Sequence, residues 1–137
     1  MRFLVAVDGS KPSEVALEHA LEIAEAVDAS VDVVHVVRPE IYSEDGRTLI
    51  EDMSEAEERS ERVLDASLRL AEDVGFEGEV STQSLYGDVS GEIVDYSEAY
   101  DVVYVGHRGE SERSRGELGG VAGDVVRRSP VSVTVVR

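Results

Sequence analysis

Four glycines near the C-terminal end of the chain have the types and spacing to do chemistry. Gly106 and Gly109 are separated by two residues, nine more precede Gly119, and Gly120 follows at once. The first pair leaves the apolar run Val102-Val103-Tyr104-Val105, and the second opens Val121–Arg128, which reads as a short helix. Backbone N–H groups between a strand and a helix start can close around a phosphate, helped by the positive end of the helix dipole. Glycine permits positive φ there and lets the main chain approach an anion with no Cβ in the way. Arg108, Arg113 and Arg115 in the same loop are phosphate-contact candidates, balanced locally by Glu110, Glu112 and Glu117. The spacing alone is equally compatible with a glycine-rich loop that holds no ligand.

Other candidate chemistry is sparse. Asp8 ends the first apolar run, where a phosphoryl acceptor of the receiver type would sit. That chemistry also needs an acidic neighbour and an acceptor after the third strand, and Leu85-Tyr86-Gly87 stands there instead. Three scattered histidines give no metal-binding spacing. His19 falls among exposed acids, His35 reads as packing beside the crevice, and His107 reads as a solvated loop residue, the one histidine in the glycine segment. No Gly-x-Ser-x-Gly elbow is present, and the absence of cysteine removes thiol chemistry. No catalytic machinery is visible.

The elements that must position these residues alternate between strand and helix. Arg2–Val7 and Val31–Val37 are apolar runs fit for strands buried on both faces. Between them a helix over 12–28 has Ser10 as cap, a stripe of Leu17, Ala20, Leu21, Ala24 and Val27, and Glu14, Glu18, Glu22 and Glu25 toward water. Pro39–Leu49 reads as a polar loop, and Ile50–Val74 as a long helix with Met53, Ala56, Val63, Leu70 and Val74 at helical spacing, stopped by Gly75. Glu79–Leu85 is a weaker strand suited to a sheet edge, Asp88 caps a helix to about Ala99, and Asp101–Val105 and Val131–Val136 are the last strands. Such alternation implies one α/β domain over residues 1–137, a doubly wound parallel five-stranded sheet with helices on both faces. Its ligand site would lie beyond the carboxyl ends of the strands, at Asp8 and Gly106.

Composition sets the partners. Thirteen basic residues, of which only Lys11 is a lysine, against 30 acidic ones give a net charge of −17. Such a field repels nucleic acid and anionic membranes. A basic protein partner would explain it, but the acids are spread over all helices, which favours a halophilic reading: a surface adapted to high salt. No apolar run is long enough to span a bilayer, so a cytoplasmic protein is expected. Val131, Val133 and Val135 alternate with Ser132 and Thr134 in a strand with no lysine and no internal proline. At a sheet edge that strand would seek a partner, most simply its own copy, giving a homodimer through residues 131–136.

Several of these segments occur together: Val5-Ala6-Val7-Asp8-Gly9-Ser10, His35-Val36, Gly87-Asp88, Gly106-x-x-Gly109-x9-Gly119, and the terminal Ser129-Pro130 followed by Val131–Arg137. In that order the chain resembles the universal stress protein family over essentially its whole length. The resemblance implies strand order 3-2-1-4-5, dimerisation and, in the nucleotide-binding branch, ATP in the crevice, with Mg²⁺. Carried over by position, it places Asp8 near the nucleoside, the Val36 backbone at adenine, and Val105 and Gly106 along the ribose and phosphates. Gly109, Gly119 and the amides of Gly120 and Val121 would form the phosphate cradle. The family places Ser or Thr after the third glycine, and here Gly120 takes that place. The expected function is a non-enzymatic, ATP-binding sensor or switch in stress response, with at most slow hydrolysis. The alternatives are a nucleotide-independent dimeric interaction module of the same fold and, more remotely, an ATP-using enzyme.

Overall fold

Phe3, Leu4 and Val5 are buried on both sides of the first strand, β1 (Arg2–Ala6), as a central strand requires. A computed structural model of the chain describes residues 1–109 and 118–137. The remaining elements in chain order are α1 (Lys11–Val27), β2 (Ser30–Val37), β3 (Ile41–Glu44), β4 (Arg47–Ile50), α2 (Met53–Asp73), β5 (Val80–Tyr86), α3 (Val89–Tyr96), β6 (Val102–Gly106), α4 (Gly120–Arg128) and β7 (Ser132–Val136). The main sheet runs β5-β2-β1-β6-β7 and every pairing is parallel. Counting only its members, this is the expected order 3-2-1-4-5, with β5 and β7 at the two edges.

Two apolar layers enclose the sheet. On one face Leu17, Ala20, Leu21 and Ala24 of α1, with Leu64 and Ala71 of α2, cover Phe3, Val5, Val31 and Val33. On the other, Ile93 of α3 and Ala122 and Val125 of α4 cover Leu4, Val34, Val103 and Val105. Side chains fix three helix starts. Ser10 Oγ accepts from the Ser13 N–H (3.3 Å), Asp52 from Glu55 (2.8 Å) and Asp88 from Gly91 (3.0 Å), satisfying donors that the first turn leaves open. At the amino ends of the strands Asp32 accepts from Ser81 Oγ (2.5 Å) and from the Tyr100 hydroxyl, while Arg2 lies over the Tyr100 ring at 4.5 Å.

The structure corrects three expectations. Residues 39–49 are not merely a loop: β3 and β4 pair antiparallel as a separate hairpin around Asp45-Gly46. Both turn residues have positive φ (50° and 74°), as in the turns whose twist suits a two-residue hairpin. Val27 lies outside the buried stripe of α1, on the water side. On α2, Met53 and Val74 are exposed, and the buried row is Ala56, Ser60, Leu64, Ser67 and Ala71. A row this rich in small side chains lets the helix axis come close to the sheet.

Candidate functional site

The chain leaves β1 toward β2 and β5, then returns to the other side of β1 to form β6 and β7. The carboxyl ends of β1 and β6 therefore border the switch point of the sheet, where open α/β folds take ligands. A cavity of about 660 Å³ opens there. Asp8, Val36, Val105, Gly106, Gly109 and Val121 all line it, as does Arg108. Gly119 and Gly120 do not: Gly119 is the buried N-cap residue of α4, and Gly120 is its first residue. Arg113 and Arg115 lie outside the described residues.

Asp8 is held by the turn into α1. Its carboxylate Oδ1 accepts from the Ser10 N–H (2.9 Å), and its own N–H donates to Ser13 Oγ (3.2 Å). Of the two reasons the sequence offers for these glycines, close approach holds for Gly106 and Gly109, while positive φ is adopted by none of Gly106, Gly109 and Gly119. A Cβ on Gly106 would stand 2.8 Å from the carbonyl carbon and oxygen of Pro12, so β6 ends pressed against the first turn of α1. A Cβ on Gly109 would stand 2.7 Å from Asp8 Oδ2. Glycine thus brings the main chain after β6 across the cavity onto the acid that ends β1. The Gly119 N–H donates to the His107 carbonyl at 2.7 Å, which ties the start of α4 back to the end of β6. Gly119, the N-cap residue of α4, has no side chain with which to cap the first-turn amides.

Two further residues of the cavity wall, Arg38 and Arg59, went unnoticed in the sequence, and His35 lines the cavity as expected of a residue packed beside the crevice. His35 is only 4% exposed, and its Nδ1 is 2.9 Å from Ser60 Oγ on α2, which is in turn 2.9 Å from Ser84 Oγ on β5. Burial, and next the Arg59 guanidinium, hold its pKa below the ordinary 6.5, with Asp8 pulling the other way. Arg59 donates to Glu51 Oε1 (2.7 Å) and to the Arg38 carbonyl (2.9 Å), and it pairs with Glu40 at 3.4 Å. The bond from Arg59 holds the Glu51 carboxyl below its usual range. The base of the hairpin is thereby fastened to α2 at the cavity rim. His35 borders the site as expected, whereas His107, the histidine of the glycine segment, does not line it, and its Nδ1 is buried without a hydrogen-bond partner among the described residues. His19 is exposed, as expected.

The arrangement fits a nucleoside with an anionic tail: apolar walls from Val36, Val105 and Val121, an oriented carboxylate, Arg108, and the start of α4 beyond. Among the described residues no cluster of acids and histidines could hold a metal by itself. No helix among them is long and apolar enough to cross a membrane.

Fold and cavity define a doubly wound α/β protein with its cleft at the topological switch point. Residues 1–137 match the model of the universal stress protein family, and the chain belongs to that family. A universal stress protein of Methanocaldococcus jannaschii is 29% identical over 142 residues, covering 99% of this chain and 81% of that protein. Among solved structures, a universal stress protein in complex with cAMP is 25% identical with a TM-score of 0.76, covering 100% of this chain and 97% of that one. One from Archaeoglobus fulgidus in complex with dAMP is 21% identical with a TM-score of 0.74, covering 100% and 98%.

Proposed function

We propose that this protein binds an adenine nucleotide in the crevice between β1 and β6 and works as a sensor or switch, not as an enzyme. The observation that carries the reading is the approach of Gly109 to Asp8, 2.7 Å from a notional Cβ to the carboxylate, inside a cavity walled by Val36, Val105 and Val121. Relatives of the same fold solved with cAMP and dAMP support the nucleotide class. In this reading the nucleoside lies near Asp8 and the Val36 backbone, and the phosphates run past Gly106 and Gly109 toward Gly119, Gly120 and Val121. ATP, with Mg²⁺ carried on its polyphosphate, is the nucleotide proposed. The switch proposed is an ordering of the 106–120 segment by the phosphates, of which residues 110–117 lie outside the described residues, and it changes the surface offered to other proteins. Slow hydrolysis is all that is expected, since the reading assigns no base to activate water.

The same reading places the protein in the cytoplasm as a homodimer paired through β7, which lies at the sheet edge with Val133 and Val135 half-buried. Sedimentation of the protein at micromolar concentration tests the dimer, and a single monomeric species overturns it.

Gly120 favours a second reading, a nucleotide-independent interaction module, because the hydroxyl that the family motif puts there is missing. A hydrogen bond to a charged group is worth about 1.5–3 kcal/mol, equivalent to roughly tenfold to a hundredfold in affinity. Calorimetric titration with ATP, ADP and AMP, on the protein and on Gly120→Ser, separates the two. The nucleotide reading expects binding that Gly120→Ser strengthens; no heat from either protein leaves the interaction module.

A further inference from the structure

We propose that occupancy of the crevice by an anionic ligand is coupled to protonation of His35. The inference rests on the nucleotide reading above and adds a regulatory input to that site.

Its basis is a titratable ring that is buried, borders the cavity, and has at Nδ1 a partner suited to either charge state. Ser60 Oγ is the ring's only hydrogen-bond partner among the described residues, 2.9 Å from Nδ1, and it has Ser84 Oγ at the same distance on its other side. A hydroxyl both donates and accepts. With neutral His35, Ser60 can donate to Nδ1. With the imidazolium, Nδ1–H donates to Ser60 Oγ, whose own proton turns to Ser84. No heavy atom need move, so the free energy of charging the ring is set by electrostatics and desolvation.

The charges acting on the ring come from two elements. Arg59 on α2 opposes its protonation and Asp8 at the end of β1 favours it, while β5 presents the uncharged Ser84. Burial adds to the effect of Arg59, so the empty site holds His35 neutral at neutral pH. A phosphate in the cavity that His35 lines adds to the negative charge that Asp8 already exerts on the ring, and so favours the imidazolium. Binding then takes up a proton, and by linkage affinity rises as pH falls through the interval between the ring's free and bound midpoints.

The test is an NMR titration of the His35 ring, assigned with His35→Gln, in the free protein and at saturating AMP. Its midpoint is expected to rise by on the order of one pH unit when AMP is bound. From about pH 8 to about pH 6, AMP affinity should increase more in the wild type than in His35→Gln, by up to about sixfold. The comparison between the two proteins cancels the titration of the AMP phosphate itself. AMP-induced shifts of the Val36 and Gly106 amides with an unmoved His35 midpoint overturn the coupling while leaving nucleotide binding intact. The absence of any amide shift with AMP, ADP or ATP removes the nucleotide reading and the coupling with it. The wild-type ring titration decides the matter even if His35→Gln does not fold.

Discussion

Gly109 lies so close to Asp8 that a Cβ added to it would stand 2.7 Å from the carboxylate Oδ2, inside any real contact distance. The segment after β6 and the acid after β1 therefore cannot be changed independently. Gly109→Ala should push the Asp8 carboxylate out of the position that its bond to the Ser10 N–H maintains. Nucleotide affinity should drop by about tenfold, or ~1.4 kcal/mol, with little change in the melting temperature. Calorimetry and a thermal melt on the same sample check both halves; unchanged affinity would show that Asp8 and Gly109 do not act on the ligand together.

Gly106 presents the opposite case, because the atoms it would strike belong to the backbone of Pro12 and cannot swing away. Gly106→Ala is expected to force β6 and α1 apart and destabilise the fold by about 1–3 kcal/mol, in the range of overpacked cores. A melting temperature lowered by several degrees, measured without nucleotide, would bear this out. A neutral substitution would mean that the strand end yields easily.

His35 ties stability to pH. Its folded-state pKa lies below 6.5, so the unfolded chain binds the proton more readily than the native one. The associated stability is complete above about pH 6.5 and is lost as the pH falls below it. Urea denaturation at about pH 7.5 and about pH 5.5 should show a smaller acid loss in His35→Gln than in the wild type. Ser60→Ala leaves Nδ1 without its partner and should cost about 1–3 kcal/mol at neutral pH. Equal acid losses in wild type and His35→Gln would contradict the assignment.

The charge of −17 gives a separate test of the salt-adapted surface. Self-repulsion is screened as the Debye length falls from ~10 Å at about 0.1 M to ~3 Å at about 1 M salt. The melting temperature should climb across that range of KCl, and a flat curve would remove the halophilic reading.

Most of the architecture was legible in the sequence because central parallel strands are short, mostly apolar runs and the helices between them carry caps. Ser10 and Asp88 cap the helices expected of them, and five parallel strands stand in the expected order. The hairpin was missed although Asp45-Gly46 is a strong turn signal, because its strands are exposed on both faces and so lack the alternation that marks a half-buried strand. The wrong face was assigned to parts of α2 for a related reason. Counting only apolar residues selected Met53 and Val74, while the row that meets the sheet includes Ser60 and Ser67. At the site, Asp8, Gly106 and Gly109 are marked by residue type. The link from His35 to Ser60 and Ser84 joins residues 25 and 24 positions apart, and only tertiary register brings them together.

The β3–β4 hairpin stands outside the five-stranded sheet and is moored through Glu40, Arg38 and Glu51 to the single side chain of Arg59. Its tip can lengthen, shorten or change composition without disturbing any rung of the parallel ladder. Each doubling of such a connection costs only about 0.6 kcal/mol. This is where the chain can drift fastest while everything beneath it stays put, giving closely related copies different rims around a common floor.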